Sequence, residues 1–571
     1  MPTPTTAQST RFGNFEVDFL SGELRKLGLR LKLAGMPMQV LEILLERPGE
    51  MVTRDTLRNR LWPEGTFVDF ENSLNTAVNK LRAALGDTAA EPRYIETLPR
   101  RGYRFIAPVE KPPGGVLPRI VVLPFENLST QNLSTHSDEE YFADGLTEEL
   151  IAHLGRAHAG QLGVIARTSA MHYKNTRKTA AEISRELAAD YLLEGSIRRE
   201  GGSVRITAQL IRSRDEVHLW AETFDRTLDH VLSVQSEVAA KIGSHLALQL
   251  LPEKAHATVH PQAYEAFLKG RFYWNKRTEA GLAKAVECYE HAIDLQPNYA
   301  MPYVGLADIY NVAGLYSVVG WASFGPPEET ATKARAAARR ALQLDPTRAE
   351  AHTSLAFARF LYDWDWAGAE AGFRQALQMN PNDVASHGWF ALYLNARGRT
   401  EEALRQIENA LKLDPLSLVA NAHKGWLLYF ARRYSEALLQ LETVCEMDPA
   451  FPLAHYVMGL ACGQTRAYAD ALRHFTKAFE SLGHPGILAA LRGQYFQALR
   501  GKHVEPVRGI LSAFLEALMY ISMGRKVSAL DALEAAYAQR SCWLVNLKAE
   551  PAMDSLRGEP RFIALLDRMG L

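Results

Sequence analysis

Asn75, Thr76, Asn79, Lys80 and Arg82 stand on one side of residues 71–85 (ENSLNTAVNKLRAAL), while Leu74, Val78, Leu81 and Leu85 recur on the other at spacings of four, three and four. That spacing predicts a helix with a single buried stripe. The opposite side then presents amide, hydroxyl and cationic groups with no carboxylate among them, where an ordinary solvated face would mix in Glu. Asn can pair bidentately with adenine, and Lys and Arg can reach guanine edges or phosphates, so this face has the chemistry of a groove reader. Further along, Pro99-Arg100-Arg101 lies between the β-patterned runs YIETL and GYRFI. This predicts a hairpin with Arg100 and Arg101 at its tip, placed to sit on phosphates or enter a minor groove. Periodicity alone also fits a solvated helix face and a basic turn in an unrelated α+β domain.

The elements that would hold these groups read as follows. Residues 12–18 (FGNFEVD) alternate as a half-buried strand, and Gly22, Gly28 and Gly35 punctuate further short β segments. Residues 38–45 put Val40, Leu41, Leu44 and Leu45 on one helical face, which ends at Arg47-Pro48-Gly49. Thr53 is positioned to cap a second helix through Leu57 and Leu61, before Trp62-Pro63 and the loop into the third. Lys111-Pro112-Pro113-Gly114-Gly115 then forms a short linker, so a boundary falls near residue 115.

After the linker, residues 119–125 (RIVVLPF) read as a buried strand and 139–155 as a helix with Leu146, Leu150, Ile151 and Leu154 inward. Residues 162–167 predict a second strand and 179–189 a second helix. Residues 191–199 and 203–212 predict strands joined through Glu200-Gly201-Gly202, where glycine supplies the positive φ of a tight turn. A strand at 217–224 and a helix at 231–250 complete an α/β module. Ser169, His172, Asp190 and His218 have side chains suited to catalysis, but nothing in the sequence orders them. No GxxxxGK[ST], HExxH or GxSxG occurs anywhere. The expectation is no catalytic residue and no enzyme.

From about residue 260 a pattern of small residues takes over. Ala285, Ala334, Ala369, Ala403, Ala437 and Ala471 lie 49, 35, 34, 34 and 34 residues apart, and each is followed seven residues later by Ala292, Ala341, Ala376, Ala410, Val444 or Ala478. Pro297, Pro346, Pro381, Pro415 and Pro449 close the units. A 34-residue period of this kind predicts paired helices packed closely at the alanines. The 49-residue interval holds an insertion around residues 315–327, and this accounts for the uncharged run at 309–327, which approaches membrane-spanning length but carries three glycines, an asparagine and a Pro-Pro end.

With 571 residues, 47% hydrophobic and 23% charged, the chain is too long for one core and too apolar to be disordered throughout. A formal net charge of -1 excludes a uniformly basic nucleic-acid coat, so any DNA contact must be a local patch. Cys288, Cys445, Cys462 and Cys542 include no CxxC pair, so neither a zinc site nor a disulfide framework is expected, and a reducing cytoplasm fits. The first residues (MPTPTTAQSTRFG) have no apolar core of secretion-signal length.

Three resemblances follow. The RDTLRNRLWP helix, the helix closing in LRAALGD and the YIETLPRRGYRF hairpin make residues 11–109 resemble the OmpR-type winged-helix domain of response regulators. That resemblance implies that Asn75, Thr76, Asn79, Lys80 and Arg82 face the major groove of double-stranded promoter or operator DNA, with Arg100 and Arg101 on the wing. Family members often carry more arginine on this helix. VVLPFENLS, EEYFADGLTEELI, VIARTSAMHYK, YLLEGSIRREGGSVRITAQLI and HLWAETFDR resemble the TolB amino-terminal-like module of multidomain bacterial regulators and some class III adenylate cyclases. The alanine and proline pattern resembles tetratricopeptide (TPR) repeats.

The expected architecture is therefore multidomain: a winged helix-turn-helix (α+β) at 11–109, a linker at 110–118, a TolB-like α/β module at 119–250, and an all-α TPR solenoid with capping helices at 260–571. The expected function is one-component, cytoplasmic transcription regulation by a sequence-specific DNA binder with no metal or cofactor. A protein or peptide partner on the concave TPR face, a small-molecule effector and a homodimer on paired half-sites complete it, with no membrane partner. A TPR scaffold or adaptor whose head serves structure or protein binding is the rival reading.

Overall fold

The computed structural model describes residues 10–571 apart from 13–14, 19–22, 27–28, 32, 34, 47–48, 50, 63–69, 90–91, 100, 108, 111–116, 130–135, 201–202, 228–230, 247–258, 277, 317–323 and 482–511. The chain divides into two compact units, Met1–Leu117 and Pro118–Leu571, with separate hydrophobic cores. Residues 111–115, the expected Pro-Gly linker, lie outside the described residues.

In the first unit, β1 (Thr10–Phe12), β2 (Phe15–Asp18), β3 (Glu23–Lys26) and β4 (Leu29–Leu31) form an antiparallel sheet. Alternation turns Phe12, Phe15, Val17 and Leu24 inward. Next come α1 (Met36–Glu46), β5 (Met51–Thr53), α2 (Arg54–Leu61) and α3 (Phe70–Leu85). The hairpin β6 (Ile95–Leu98) and β7 (Gly102–Phe105) pairs with β5, and β8 (Val109–Glu110) returns to β1. Thr53 caps α2 as its sequence position suggested, its Oγ1 accepting from Thr56 N–H at 3.1 Å. Leu74, Val78, Leu81 and Leu85 of α3 are buried against Val40, Leu41 and Leu44 of α1 and the ring of Phe105. Gly102 has no room for a side chain, because a Cβ there would overlap the Val52 carbonyl oxygen.

The second unit opens with a six-stranded sheet in the order β11-β9-β12-β13-β14, with β10 also on β12. Its strands are β9 (Arg119–Val122), β10 (Glu126–Asn127), β11 (Gly163–Val164), β12 (Tyr191–Glu200), β13 (Ser203–Arg212) and β14 (Val217–Thr227). Parallel β11-β9-β12 is crossed by helix α4 (His136–Ala157), and β12-β13-β14 is an antiparallel meander. The strand expected over 162–167 is only two residues long, because Arg167 begins α5 (Arg167–Met171). Helices α6 (Ala180–Leu187), capped by Thr179, and α7 (Val231–His245) complete the module. Gly201 and Gly202 of the expected turn, and residues 247–250 of the expected helix, lie outside the described residues.

Among the described residues, six helical hairpins follow. They pair α8 (Pro261–Trp274) with α9 (Glu279–Leu295), α10 (Ala300–Tyr316) with α11 (Pro327–Leu344), and α12 (Ala349–Ala358) with α13 (Trp366–Met379). The next three pair α14 (Val384–Ala396) with α15 (Thr400–Leu413), α16 (Leu418–Phe430) with α17 (Tyr434–Met447), and α18 (Pro452–Gln464) with α19 (Tyr468–Ser481). The six leading alanines and their followers all lie in the second helix of a hairpin and are at most 1% exposed. A larger side chain at any of these positions would push the paired helices apart. The first helices also touch one another from hairpin to hairpin, forming one continuous face. Residues 309–316 of the uncharged run belong to α10 and Pro327 opens α11; among the described residues no helix is long and apolar enough to cross a membrane.

Beyond residue 511 the chain adds α20 (Ala513–Ser522), α21 (Lys526–Ala538), two single-turn 3-10 segments (Cys542–Asn546 and Pro551–Leu556) and α22 (Pro560–Met569). The module and the hairpins share one core. They are joined at the turns that lead from one hairpin to the next and along α8. Ser169 donates to the Asp414 carboxylate through its hydroxyl (2.6 Å) and its backbone N–H (2.9 Å), and Asn382 Nδ2 donates to the Gly155 and Leu162 carbonyls. Arg156 pairs with Glu350 at 3.1 Å, and Glu148 is enclosed by Arg271, Arg167 and Asn275.

Candidate nucleic-acid interface

Helix α3 offers two faces of opposite character. Asn75, Thr76, Asn79 and Lys80 are exposed, opposite the buried leucine and valine stripe. Asn75 is held in one orientation: its Oδ1 accepts from Arg54 Nη2 at 3.1 Å and from the Tyr103 hydroxyl at 2.8 Å. Arg54 also stands over the Tyr103 ring, 5.2 Å from its centroid. Because guanidinium can only donate, the atom facing it must be the amide oxygen, so the Asn75 NH2 is the end left for a base or phosphate acceptor. Sequence reading missed Arg54 and Tyr103; their signal was an arginine at the start of α2 and a tyrosine on the wing, both also ordinary fold residues.

Arg82 corrects an expectation. It is only 6% exposed, and its Nη2 donates to the Ile95 carbonyl and the Thr97 hydroxyl, each at 2.7 Å. The helix turns this residue toward β6, so its guanidinium fastens the wing to α3 and does not face a groove. Asp87 does the same from beyond the helix end, its carboxylate accepting from the backbone N–H groups of Arg93, Tyr94 and Ile95 at 2.7, 3.3 and 2.9 Å. Gly86 between them takes φ +65°, the left-handed turn that ends α3 and lets Asp87 point back. The LRAALGD motif thus encodes a brace between helix and wing.

At the wing, Arg101 is exposed, its N–H donating to the Leu98 carbonyl at 2.9 Å across the turn, and its own carbonyl accepts from Arg54 N–H at 3.1 Å. Arg100 lies outside the described residues. Arg54 therefore touches the wing turn, Tyr103 and Asn75 together, which couples the two elements expected to meet DNA.

Of the four residues considered for catalysis, three have separate partners, and His218 is exposed on β14. Ser169 bonds Asp414, Asp190 accepts from Arg119 N–H at 2.8 Å, and His172 packs edge-on against Tyr173. Among the described residues no group of three or more His, Cys, Asp or Glu side chains is placed to hold a metal ion.

Three helices with a strand hairpin braced against the third form a winged helix-turn-helix, and the sequence comparisons agree with that class. Residues 28–105 match the family described as "Transcriptional regulatory protein, C terminal", and residues 118–241 match "HilA/YgeH-like transcriptional regulator, second domain". The chain is a DNA-binding transcription regulator. It is 24% identical over 443 residues to the transcriptional regulator HilA of Salmonella typhimurium, covering 75% of both chains. Over 80 residues it is 36% identical to the cholera toxin transcriptional activator of Vibrio cholerae, covering 14% of this chain and 27% of that one. A protein of Rhizobium meliloti named "Putative adenylate cyclase 3" is 31% identical over 246 residues, covering 42% of this chain and 40% of the length of that relative. The middle module, expected to be TolB-like, thus matches the second domain of HilA-like regulators.

Proposed function

We propose that this protein is a one-component regulator in which α3 reads the major groove of promoter DNA, the wing holds the adjoining backbone, and the second unit receives the signal. The observation that carries this reading is the division of α3: Asn75, Thr76, Asn79 and Lys80 outward, with Arg82 and Asp87 spent on bracing the wing. Lys80 and the wing arginines Arg100 and Arg101 supply phosphate contacts, Asn79 and Thr76 meet base edges, and the Asn75 NH2 presents donors only, favouring acceptors such as guanine N7 and O6 or adenine N7. The regulator acts in the cytoplasm as a homodimer on paired half-sites, without a metal, cofactor or catalytic step. The module is akin to the TolB amino-terminal-like class and works with the TPR-type array, which takes a protein or peptide partner; a small-molecule effector would enter through this unit.

The test is recovery of genomic fragments by the full chain, followed by titration of a recovered duplex at several salt concentrations. A shared motif near promoters and a linear fall of log affinity with log salt are expected, and Lys80→Ala and Arg101→Ala should each reduce the salt slope by roughly one. No enrichment at low or moderate salt would overturn groove reading by this head.

A further inference from the structure

The C-terminal segment lies along the hairpin array as a ligand would. Residues 542–546 and 551–556 are two short 3-10 segments that follow no 34-residue period, yet Leu544, Leu547, Met553 and Leu556 are fully buried. The Trp543 ring is met by Trp426, Tyr456 and Phe514 at centroid distances of 5.8, 6.0 and 6.1 Å, and its Nε1 donates to the Leu315 carbonyl at 3.1 Å. Seven residues on, the Glu550 carboxylate is buried and accepts from the Tyr429 hydroxyl. Asp554 takes Arg432 at 2.6 Å. At the chain end, Trp366 Nε1 and Arg397 Nη1 donate to the Met569 and Gly570 carbonyls, each at 2.6 Å.

These array groups are spaced in order. Leu315 ends α10, Trp366 begins α13, Arg397 follows α14, Arg432 follows α16 and Tyr456 lies in α18, one position from each of five consecutive hairpins. All but Tyr456 sit at the turns inside hairpins two to five, away from the turns between hairpins where Glu350, Asn382 and Asp414 meet the module. The surface combines an aromatic pocket and carboxylate sites, which read sequence, and beyond the segment Trp366 and Arg397 hold backbone carbonyls of the chain end, which carry no sequence information. That combination is how grooves recognise peptides.

We propose that this edge of the array is a peptide-recognition surface whose resident occupant is the chain's own segment 541–557, and that a partner binds by displacing it with a peptide of like conformation carrying an aromatic anchor, a carboxylate seven residues later and a second carboxylate four residues beyond that. The proposal rests on the reading of the array as the partner-binding half of the regulator. Tethering gives the resident segment an effective concentration of about millimolar, so a partner competes only if it binds better or the segment is loosened.

The probe is a fluorescent peptide with the sequence of residues 540–557, offered to the full chain, to full-length Trp543→Ala, and to Trp543→Ala combined with Arg432→Ala, while hydrogen exchange is followed in each. The expected result is that Trp543→Ala speeds exchange across 541–557 by about tenfold or more with α12, α14 and α16 unchanged. The same variant captures the peptide, the wild type does not, and Arg432→Ala weakens capture. If α12, α14 and α16 open together with the segment, it is an integral part of the fold and the proposal falls. It falls equally if the segment does not open, if it opens without peptide capture, or if the wild type binds as well as the variant. Duplex titration of the same preparations scores the DNA reading separately.

Discussion

Helix α3 of the head and the first-helix face of the array are both surfaces that pattern alone marks as available for binding, and they differ in what lies on them. On α3 the polar side chains opposite the core stripe remain exposed. On the array, one edge is taken by the α/β module through Glu148, Asn382 and Ser169, and the other by Trp543, Glu550 and the chain end. A repeat tells where a surface is. It does not tell whether the rest of the chain already fills it, because an occupant from another part of the sequence shares no period with the repeat.

The comparison breaks most severely at Glu148. This carboxylate is buried among Arg271, Arg167 and Asn275, so Glu148→Ala leaves Arg271 without its charge partner at the module edge. Removing one member of a buried pair costs about 3–5 kcal/mol. Thermal unfolding followed by domain-specific probes should show the transition of the Pro118–Leu571 unit falling while that of the head stays in place. A head that fell equally would mean the two units do not unfold independently.

Within the head, Arg82→Ala should cost roughly 1.5–3 kcal/mol, since it removes two hydrogen bonds from a charged donor to β6. Lys80→Ala, two residues away and exposed, should stay within about 0.5 kcal/mol of wild type in stability. Duplex affinity should fall for both, in Lys80→Ala by loss of a phosphate contact and in Arg82→Ala by loosening of the wing. Denaturant titration of the two variants separates these causes; equal stabilities would show that Arg82 does not brace the wing.

Much of the head was legible because its residues announce their local geometry: Thr53 as a cap, the Leu74 to Leu85 stripe, and the hairpin around Arg101. Arg82 was misread because helical spacing places it near the edge of the polar face, and only the position of β6, set by contacts distant in sequence, turns it inward. The alanine positions of the array were legible for a similar reason, since every repeat must solve the same packing problem. The residues that join the module to the array were not, because Ser169 meets Asp414 across 245 positions and nothing in either neighbourhood signals the other. Trp543 and Glu550 were invisible for the same cause. Asn75 was found by residue type, but its donor-only presentation needed Arg54 and Tyr103 beside it.

A smaller effect tests the module edge at a contact that is not an ion pair. Ser169→Ala deletes the hydroxyl that donates to Asp414 and accepts from Leu416 N–H, and should cost about 1–2 kcal/mol, measured as a shift in the second unit's denaturant midpoint. A change near zero would mean that water replaces the hydroxyl there and that the module edge depends on its ion pairs alone.

The subtlest difference between the two edges is the sign of their pH dependence. At the module edge, burial opposes ionisation of Glu148, but Arg271 and Arg167 outweigh it and hold the carboxyl below its ordinary range. Its contribution is therefore present above the unfolded glutamate value of about 4.3 and is lost as pH falls through the depressed folded value. At the C-terminal edge, burial pushes Glu550 up, and the Tyr429 hydroxyl only partly compensates. A carboxyl raised on folding contributes stability that is present in full below about pH 4.3 and is lost as pH rises through the folded value. Glu148→Gln and Glu550→Gln, each compared with wild type by denaturant unfolding across about pH 2.5 to 7, should thus give difference curves of opposite slope, the first changing below about pH 4.3 and the second above it. The wild-type advantage over Glu148→Gln should shrink toward acid, and that over Glu550→Gln should shrink toward neutrality. Parallel slopes would mean that the carboxylate facing Tyr429 is ionised as readily as one in water, and that the groove does not desolvate its own occupant.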